Sequence, residues 1–301
     1  MRKGAVLLAV ALAWASAAAA APVAPLGERP AYLQGAPGLP PNASAIDRTI
    51  WAPDLDRGYV PQGLAWGGGA LYLSAYRSDD PKVGTGPCRL FRIDPESGDT
   101  LGRFDLPAAC GHAGGLAWLG GGVLLVSDTR RLYRIDAAAA FGPAGGPRAV
   151  TASVALEGSL KGSFASFDGK ALFVGTYSRD TETAKGFFLA PSVLDAPAGA
   201  SLDETAALRA IALPAHAQGA VFDRAGRLWI SAGGSRFGRL CRLDDTDGEA
   251  AVCYATAAGV EGLAFDDRGR LWAVSEAGSL RWRNWPATFP LLFRLDPDRL
   301  R

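Results

Sequence analysis

The chain of 301 residues has only two histidines, His112 and His216. Each stands two positions ahead of a recurring motif that opens on a polar or small residue and ends on an aromatic. An imidazole serves as a general base or a metal ligand near neutral pH, and a neighbouring carboxylate fixes its tautomer and raises its basicity. Asp128 is the candidate carboxylate for His112. The hairpin turn of that repeat centres on Gly120, so an antiparallel register sets His112 opposite Asp128. The same pair can equally be a structural dyad that bonds the loop backbone. The motifs begin at Gln62, Gly114, Ser163, Gln218 and Glu261, and Glu261 is the only acid among them. With the amide oxygens of Gln62 and Gln218 it could help hold calcium, which accepts carboxylate and carbonyl ligands. The other reading is a carboxyl bonded to backbone amides or channel water.

The elements that would position these residues follow from the motif itself. QGLAW (62–66), GGLAW (114–118), SFASF (163–167), QGAVF (218–222) and EGLAF (261–265) recur 43 to 55 residues apart. Each leads through a Gly/Asp turn into an apolar strand of the LYLSA type, then into a strand ending L-x-R-I/L-D in most repeats. A fourth strand follows, such as TLGRFDLP (100–107) or LRAIALP (208–214). Four short strands per unit at this period mean a β-propeller. The sequence therefore predicts an all-β propeller of five four-stranded blades. The alternative is six, with a degenerate blade in 179–207. The last repeat lacks its fourth strand, and RTIWAPDL (48–55) is unmatched at the other end. The N-terminal strand should close the last blade and leave no open edge.

In such a ring the starts of the first strands and the ends of the second strands meet at one mouth of the central channel. That places Tyr76, Asp128, Tyr177 and Glu276 beside the motif starts, with His112 and His216 in equivalent slots. Every blade also brings at least one cation to this face, and Arg281 lies in the longest aromatic loop, SLRWRNWPATF (279–289). The ligand-binding candidates are thus Gln62, Tyr76, Ser163, Tyr177, His216, Gln218, Glu276 and Arg281. The catalytic candidates are His112 and Asp128, and Glu261 is the metal candidate. A cationic rim attracts an anion such as a carboxylate or phosphate ester, although acidic residues share the same loops.

Residues 1–21 read as a secretory signal, with Arg2 and Lys3 ahead of an apolar run and an alanine-rich cleavage region. The expected location is secreted or periplasmic, with no transmembrane segment in the mature chain. Residues 22–44, rich in Pro, Gly and Ala, read as a spacer, leaving 45–301 for the propeller. Loss of Arg2 and Lys3 turns the formal net charge of +1 into −1, which argues against nucleic acid as a partner. The expected partner is a small molecule or protein at the channel mouth, bound by a monomer. The four cysteines suit an oxidising compartment. Cys241 and Cys253 are symmetric about Asp247, and Cys88 and Cys110 about Asp99. Both pairs should therefore face each other across hairpins as disulfides.

The QGLAW, HAGGLAW and EGLAFDDRGRLW openings resemble those of the gluconolactonase (senescence-marker-protein) and paraoxonase propellers. That resemblance implies calcium at the channel mouth and hydrolysis of lactones or esters. Glu261 matches that group's acidic ligand position, whereas Gln62, Gly114, Ser163 and Gln218 depart from it, and the group has six blades. VPQGLAW (60–66), GHAGGLAW (111–118) and SEAGSLRWR (275–283) resemble more closely a set of secreted bacterial propellers, over most of residues 48–301. EGLAFDDRGRLWAVSE also resembles the phytase-like esterase propellers within one blade. Two functions follow as expectations. One is a binding protein that uses the polar channel mouth. The other is a metal- or water-dependent hydrolase of lactones, esters or phosphoesters. No GxSxG nucleophile motif is present.

Overall fold

The computed structural model describes residues 23–143, 146–243 and 252–301. The signal expected in residues 1–21 lies outside them. Five antiparallel sheets form the propeller, so the six-bladed alternative falls away. The inner strands are Tyr59–Gly67, Gly115–Gly120, Phe164–Phe167, Ala217–Phe222 and Val260–Phe265, one per repeat motif. Apart from Lys185–Leu189, a strand of the third blade, the only strand lying within the segment where a sixth blade could have hidden (179–207) is Ser201–Leu202, which pairs in parallel with Val150–Leu156 at the rim of the second blade. The ring closes as the strand count requires. Ile46–Trp51 pairs antiparallel with Leu291–Leu295 and completes the last blade. No described helix is long and apolar enough to cross a membrane.

The alternation of the strands directs their apolar side chains between blades rather than to one central core. Tyr72, Leu90, Leu116 and Val126 fill the seam between the first and second blades. Leu125, Leu132, Leu172 and Phe187 fill the next. Phe173, Phe188, Ala220 and Ile230 fill the third, and Trp229, Leu240, Leu263 and Phe293 the fourth. Trp272, Leu73 and Phe91 join the last blade to the first. Five seams close a five-bladed ring.

The glycine of the QGLAW motif answers a steric demand at the channel. A Cβ on Gly115 would lie 2.2 Å from the Ala165 nitrogen, and one on Gly219 would lie 2.1 Å from the Glu261 carbonyl oxygen. Inner strands of adjacent blades touch backbone to backbone there, leaving no room for a side chain. Opposite Gly219, the Ser231 hydroxyl donates to the Glu261 carbonyl; in the first blade Ser74 donates to the Ala113 carbonyl at 2.7 Å. These two serines fasten the fourth blade to the last and the first blade to the second. In the third blade Phe164 replaces the glycine, and Gly175 replaces the serine to make room for its ring. Gly219→Ala should therefore push the Glu261 backbone and cost about 1–3 kcal/mol, read as a lower denaturation midpoint in urea. A midpoint equal to the wild type's would show that the seam has slack.

Where composition suggests a spacer, residues 23–44 lie against the propeller. Leu26 pairs with Ile50 along the closing strand, and the Ala31 N–H donates to the Asp56 carboxylate at 2.9 Å. Asn42 donates to the carbonyls of Ala255 and Arg301 and accepts the Arg301 N–H, so it ties this segment to the chain's C-terminal residue.

Of the two expected disulfides, Cys241–Cys253 is formed across directly paired strand residues. Cys88 and Cys110 are free thiols, which corrects the second pairing. The hairpin register runs through Arg89↔Asp105, so the Cys88 carbonyl meets Leu106, and Cys110 lies beyond in the turn from Pro107. The fold nevertheless returns Cys110 to its partner. Hydrogen bonding to Cys110, with burial, pushes the Cys88 thiol far above its usual range.

Candidate functional site

A cavity of about 370 Å³ opens at one mouth of the channel, lined from all five blades. Gln62 and Tyr76 come from the first blade, His112 and Thr129 from the second, and Lys161, Ser163 and Tyr177 from the third. Gln218 comes from the fourth, and Glu261, Glu276, Arg281 and Trp282 from the last. Most of the predicted ligand-binding residues thus meet at one place. Thr129, Lys161 and Trp282 were not picked out as site residues, although Lys161 shares the slot of the two histidines in the repeat.

A local irregularity aims the residues at the centre of this site. In the first, fourth and last blades the register shifts by one residue at the start of the inner strand, between Pro61 and Leu64, Ala217 and Gly219, and Val260 and Leu263. These bulges fall on Gln62, Gln218 and Glu261. A bulge inserts one residue, bends the strand and re-aims a side chain. Here it brings two amides and a carboxyl to the cavity from strands that otherwise alternate between seams.

Glu261 and Glu276 are 4 % and 7 % exposed and hydrogen-bond to each other. Burial raises the Glu261 carboxyl well above its ordinary value, and the charge of Glu276 raises it further. Burial also raises Glu276, but only to about 7, because the neighbouring Trp282, Glu261 and Gln62 side chains favour its anion. The Gln62 amide donates to Glu276 Oε2 at 3.2 Å. Burial therefore disfavours a second charge on the pair, and near neutral pH the two carboxyls retain at least one proton between them.

The expected His112–Asp128 dyad takes its bland form, and Asp128 is corrected from a catalytic to a loop-holding role. The observed register sets Gly115 opposite Ser127, so Asp128 faces Gly114 rather than His112. Its carboxylate accepts the backbone N–H groups of Gly111, His112 and Ala113 at 2.8–3.2 Å. This holds a tight loop in which Ala113 has φ 48°. The imidazole Nδ1 lies 2.7 Å from the Gly84 carbonyl, which can only accept, so Nδ1 carries the proton. Burial lowers the His112 pKa and keeps the ring neutral at pH 7. The ring stacks on Tyr76, with centroids 4.4 Å apart. His216 does not line the cavity. It stands behind Tyr177, its Nδ1 3.4 Å from the Tyr177 hydroxyl, with its ring edge-on to Phe237.

The donor set does not fit the calcium that the family resemblance implies. Calcium takes six to eight oxygens. Here two carboxyls are engaged with each other, and Gln62 presents an N–H rather than an oxygen to Glu276. No cluster of three or more acidic, His or Cys ligands occurs among the described residues. Millimolar calcium or a chelator should leave the melting temperature unchanged in a thermal-shift assay. An increase with calcium that is lost in Glu261→Gln would overturn this reading.

No protein-family model matches the chain, and no curated protein sequence matches it. Solved structures share its propeller fold. The crystal structure of Myxococcus xanthus glutaminyl cyclase superposes with a TM-score of 0.57 at 14% identity, covering 83% of this chain and 94% of that one. A luciferin-regenerating enzyme gives 0.46 at 11% identity, covering 84% of this chain and 96% of its own. The PQQ-bound aldose sugar dehydrogenase of Streptomyces coelicolor gives 0.43 at 16% identity, covering 79% and 82%. The chain is a β-propeller whose distant fold neighbours include enzymes.

Proposed function

We propose that the protein is an acid–base enzyme that acts on an acyl carbonyl, an ester, lactone or amide, at the channel mouth. The carrying observation is the buried Glu261–Glu276 carboxyl pair lining the cavity, with Gln62 donating to Glu276. A binding surface has no need of two desolvated acids poised near neutrality. Acid–base catalysis needs an ionised base and a protonated acid together at the operating pH. Glu276 takes the proton from the attacking nucleophile, either water or an amine of the substrate. Glu261 gives its proton to the leaving oxygen or nitrogen. Transfer of the captured proton from Glu276 to Glu261 along their hydrogen bond then restores the starting state. Ser163 lines the cavity, and its hydroxyl makes no hydrogen bond to a base among the described residues, which favours direct attack over a covalent intermediate.

The test is a panel of small esters, lactones and amides, assayed with wild type, Glu276→Gln and Glu261→Gln. A glutaminyl peptide belongs in that panel because a fold neighbour is a glutaminyl cyclase; that neighbour shares the fold and contributes a substrate rather than an argument. Turnover of one class, lost in both variants, supports the reading. Turnover of none, or turnover indifferent to both substitutions, overturns it and leaves binding as the role of this face.

A further inference from the structure

Arg281 is 9 % exposed and lines the same cavity. A guanidinium has five N–H donors and is ordinarily matched by a carboxylate when buried. Here one terminal nitrogen donates to the Tyr76 hydroxyl and the other to the Pro81 carbonyl at 3.2 Å, and Nε is buried without a partner. No carboxylate pairs with Arg281 among the described residues. The rings of Tyr76 and Trp282 lie 5.4 and 4.1 Å from its central carbon and do not neutralise it. Desolvation accordingly lowers its pKa, the mark of a cation lacking a counter-charge. Lys161, from the far side of the ring, is a second cation lining the cavity with no ion-pair partner among the described residues. Against these two cations the acidic residues lining the cavity are Glu261 and Glu276, whose burial as a pair disfavours a second negative charge.

We infer that the substrate carries a carboxylate, and that Arg281 receives it at the wall formed by Tyr76 and Trp282. The inference names the substrate class for the acid–base reading above. The charge count selects a monoanion. It neutralises the site, whereas a phosphate dianion would add a second negative charge beside Glu276 in a cavity of about 370 Å³. The planar carboxylate also suits the fork of a guanidinium that lies beside two aromatic rings. With its charged end on Arg281, the other end of the substrate has the carboxyl pair within the same small chamber, so the length of the molecule is read along with its charge.

Binding, which requires no turnover, tests this separately. Acetate, lactate and butyrate are titrated into the full protein at pH 7 and constant ionic strength. Acetamide, lactamide, butyramide, chloride and inorganic phosphate serve as comparators, and calorimetry and thermal shift as readouts. At least one carboxylate should bind where its amide does not. Arg281→Gln should weaken that affinity by about tenfold or more, and Arg281→Lys, which keeps the charge, should recover part of it. Should Arg281→Gln not fold, the carboxylate–amide contrast in wild type and the Lys variant still decides the matter. Equal behaviour of carboxylates and amides, phosphate binding tighter than any carboxylate, or unchanged affinity in a folded Arg281→Gln would each overturn the inference. Carboxylate binding without turnover of any acyl substrate would keep the inference and remove the acid–base reading.

Discussion

Glu276→Gln should lower kcat on the substrate identified from the acyl panel by about 10²–10⁴-fold, with a much smaller change in KM. The substitution keeps the shape and most of the hydrogen bonding of the side chain. What it removes is the electron pair that takes the proton from the nucleophile. Glu261→Gln should cost a similar factor by a different route. The amide still donates to Glu276, but it has no proton to give the leaving group. The double variant should be no worse than the poorer single one, because two groups that pass one proton act as a unit. In wild type the rate should rise with pH through about 7, as Glu276 ionises. His112→Ala should change kcat far less, since its Nδ1 is committed to the Gly84 carbonyl and its ring stacks on Tyr76. Glu276→Gln activity within about twofold of wild type, in a protein with native circular dichroism, would remove Glu276 from the chemistry.

The blade count and the ring closure were legible because each rests on a pattern that local physics enforces. A glycine is required where inner strands touch, a Gly/Asp turn where a hairpin reverses, and a partner for the strand at 48–55 where an edge would be exposed. The meeting of distant residues at the channel mouth followed from topology alone. What could not be read was anything set by a register shift. Glu261 and Glu276 were both assigned to the mouth, in separate slots. Their contact depends on the bulge between Val260 and Leu263, which leaves no compositional mark. His112 was set opposite Asp128 by assuming a turn centred on Gly120. The hairpin instead pairs Gly120 with Val123 around Gly121 and Gly122, which moves the carboxylate under the loop backbone. Cys110 failed the same way, four residues past the position that faces Cys88 across the hairpin. The two thiols meet because the turn folds back, not because the strands align.

The carboxyl pair should also make the protein less stable as pH rises from about 4.5 to about 7, the reverse of the usual behaviour of ion-paired acids. Glu276 has a folded-state pKa raised from 4.5 to about 7. Below 4.5 both folded and unfolded chains hold this proton, and the group contributes no difference. Above 4.5 the unfolded chain releases the proton while the folded one keeps it, so the unfolded state binds fewer protons and stability falls. The loss is complete near the folded pKa and amounts to about 3 kcal/mol. Glu261, also raised by burial and by the charge of Glu276, acts in the same direction. The paired acids act in another window. Burial alone would raise Asp54, but hydrogen bonds and charge from Arg103 and Arg89 hold it below its ordinary 3.8, so its stabilisation is lost only as pH drops below that value. Asp223, held down by Trp229 and Arg227 against its own burial, behaves likewise. Urea denaturation at pH 5 and pH 8 should therefore show a wild-type decline that is reduced in Glu276→Gln, with the variant more stable than wild type at pH 8. An inactive variant that outlasts the wild type is the signature of acids kept for chemistry rather than for the fold, because a purely structural carboxyl pair would lose stability when one member is neutralised. Equal pH slopes in the two proteins would mean that Glu276 titrates near 4.5, as an exposed glutamate does. The shared proton, and the acid–base function built on it, would then be gone.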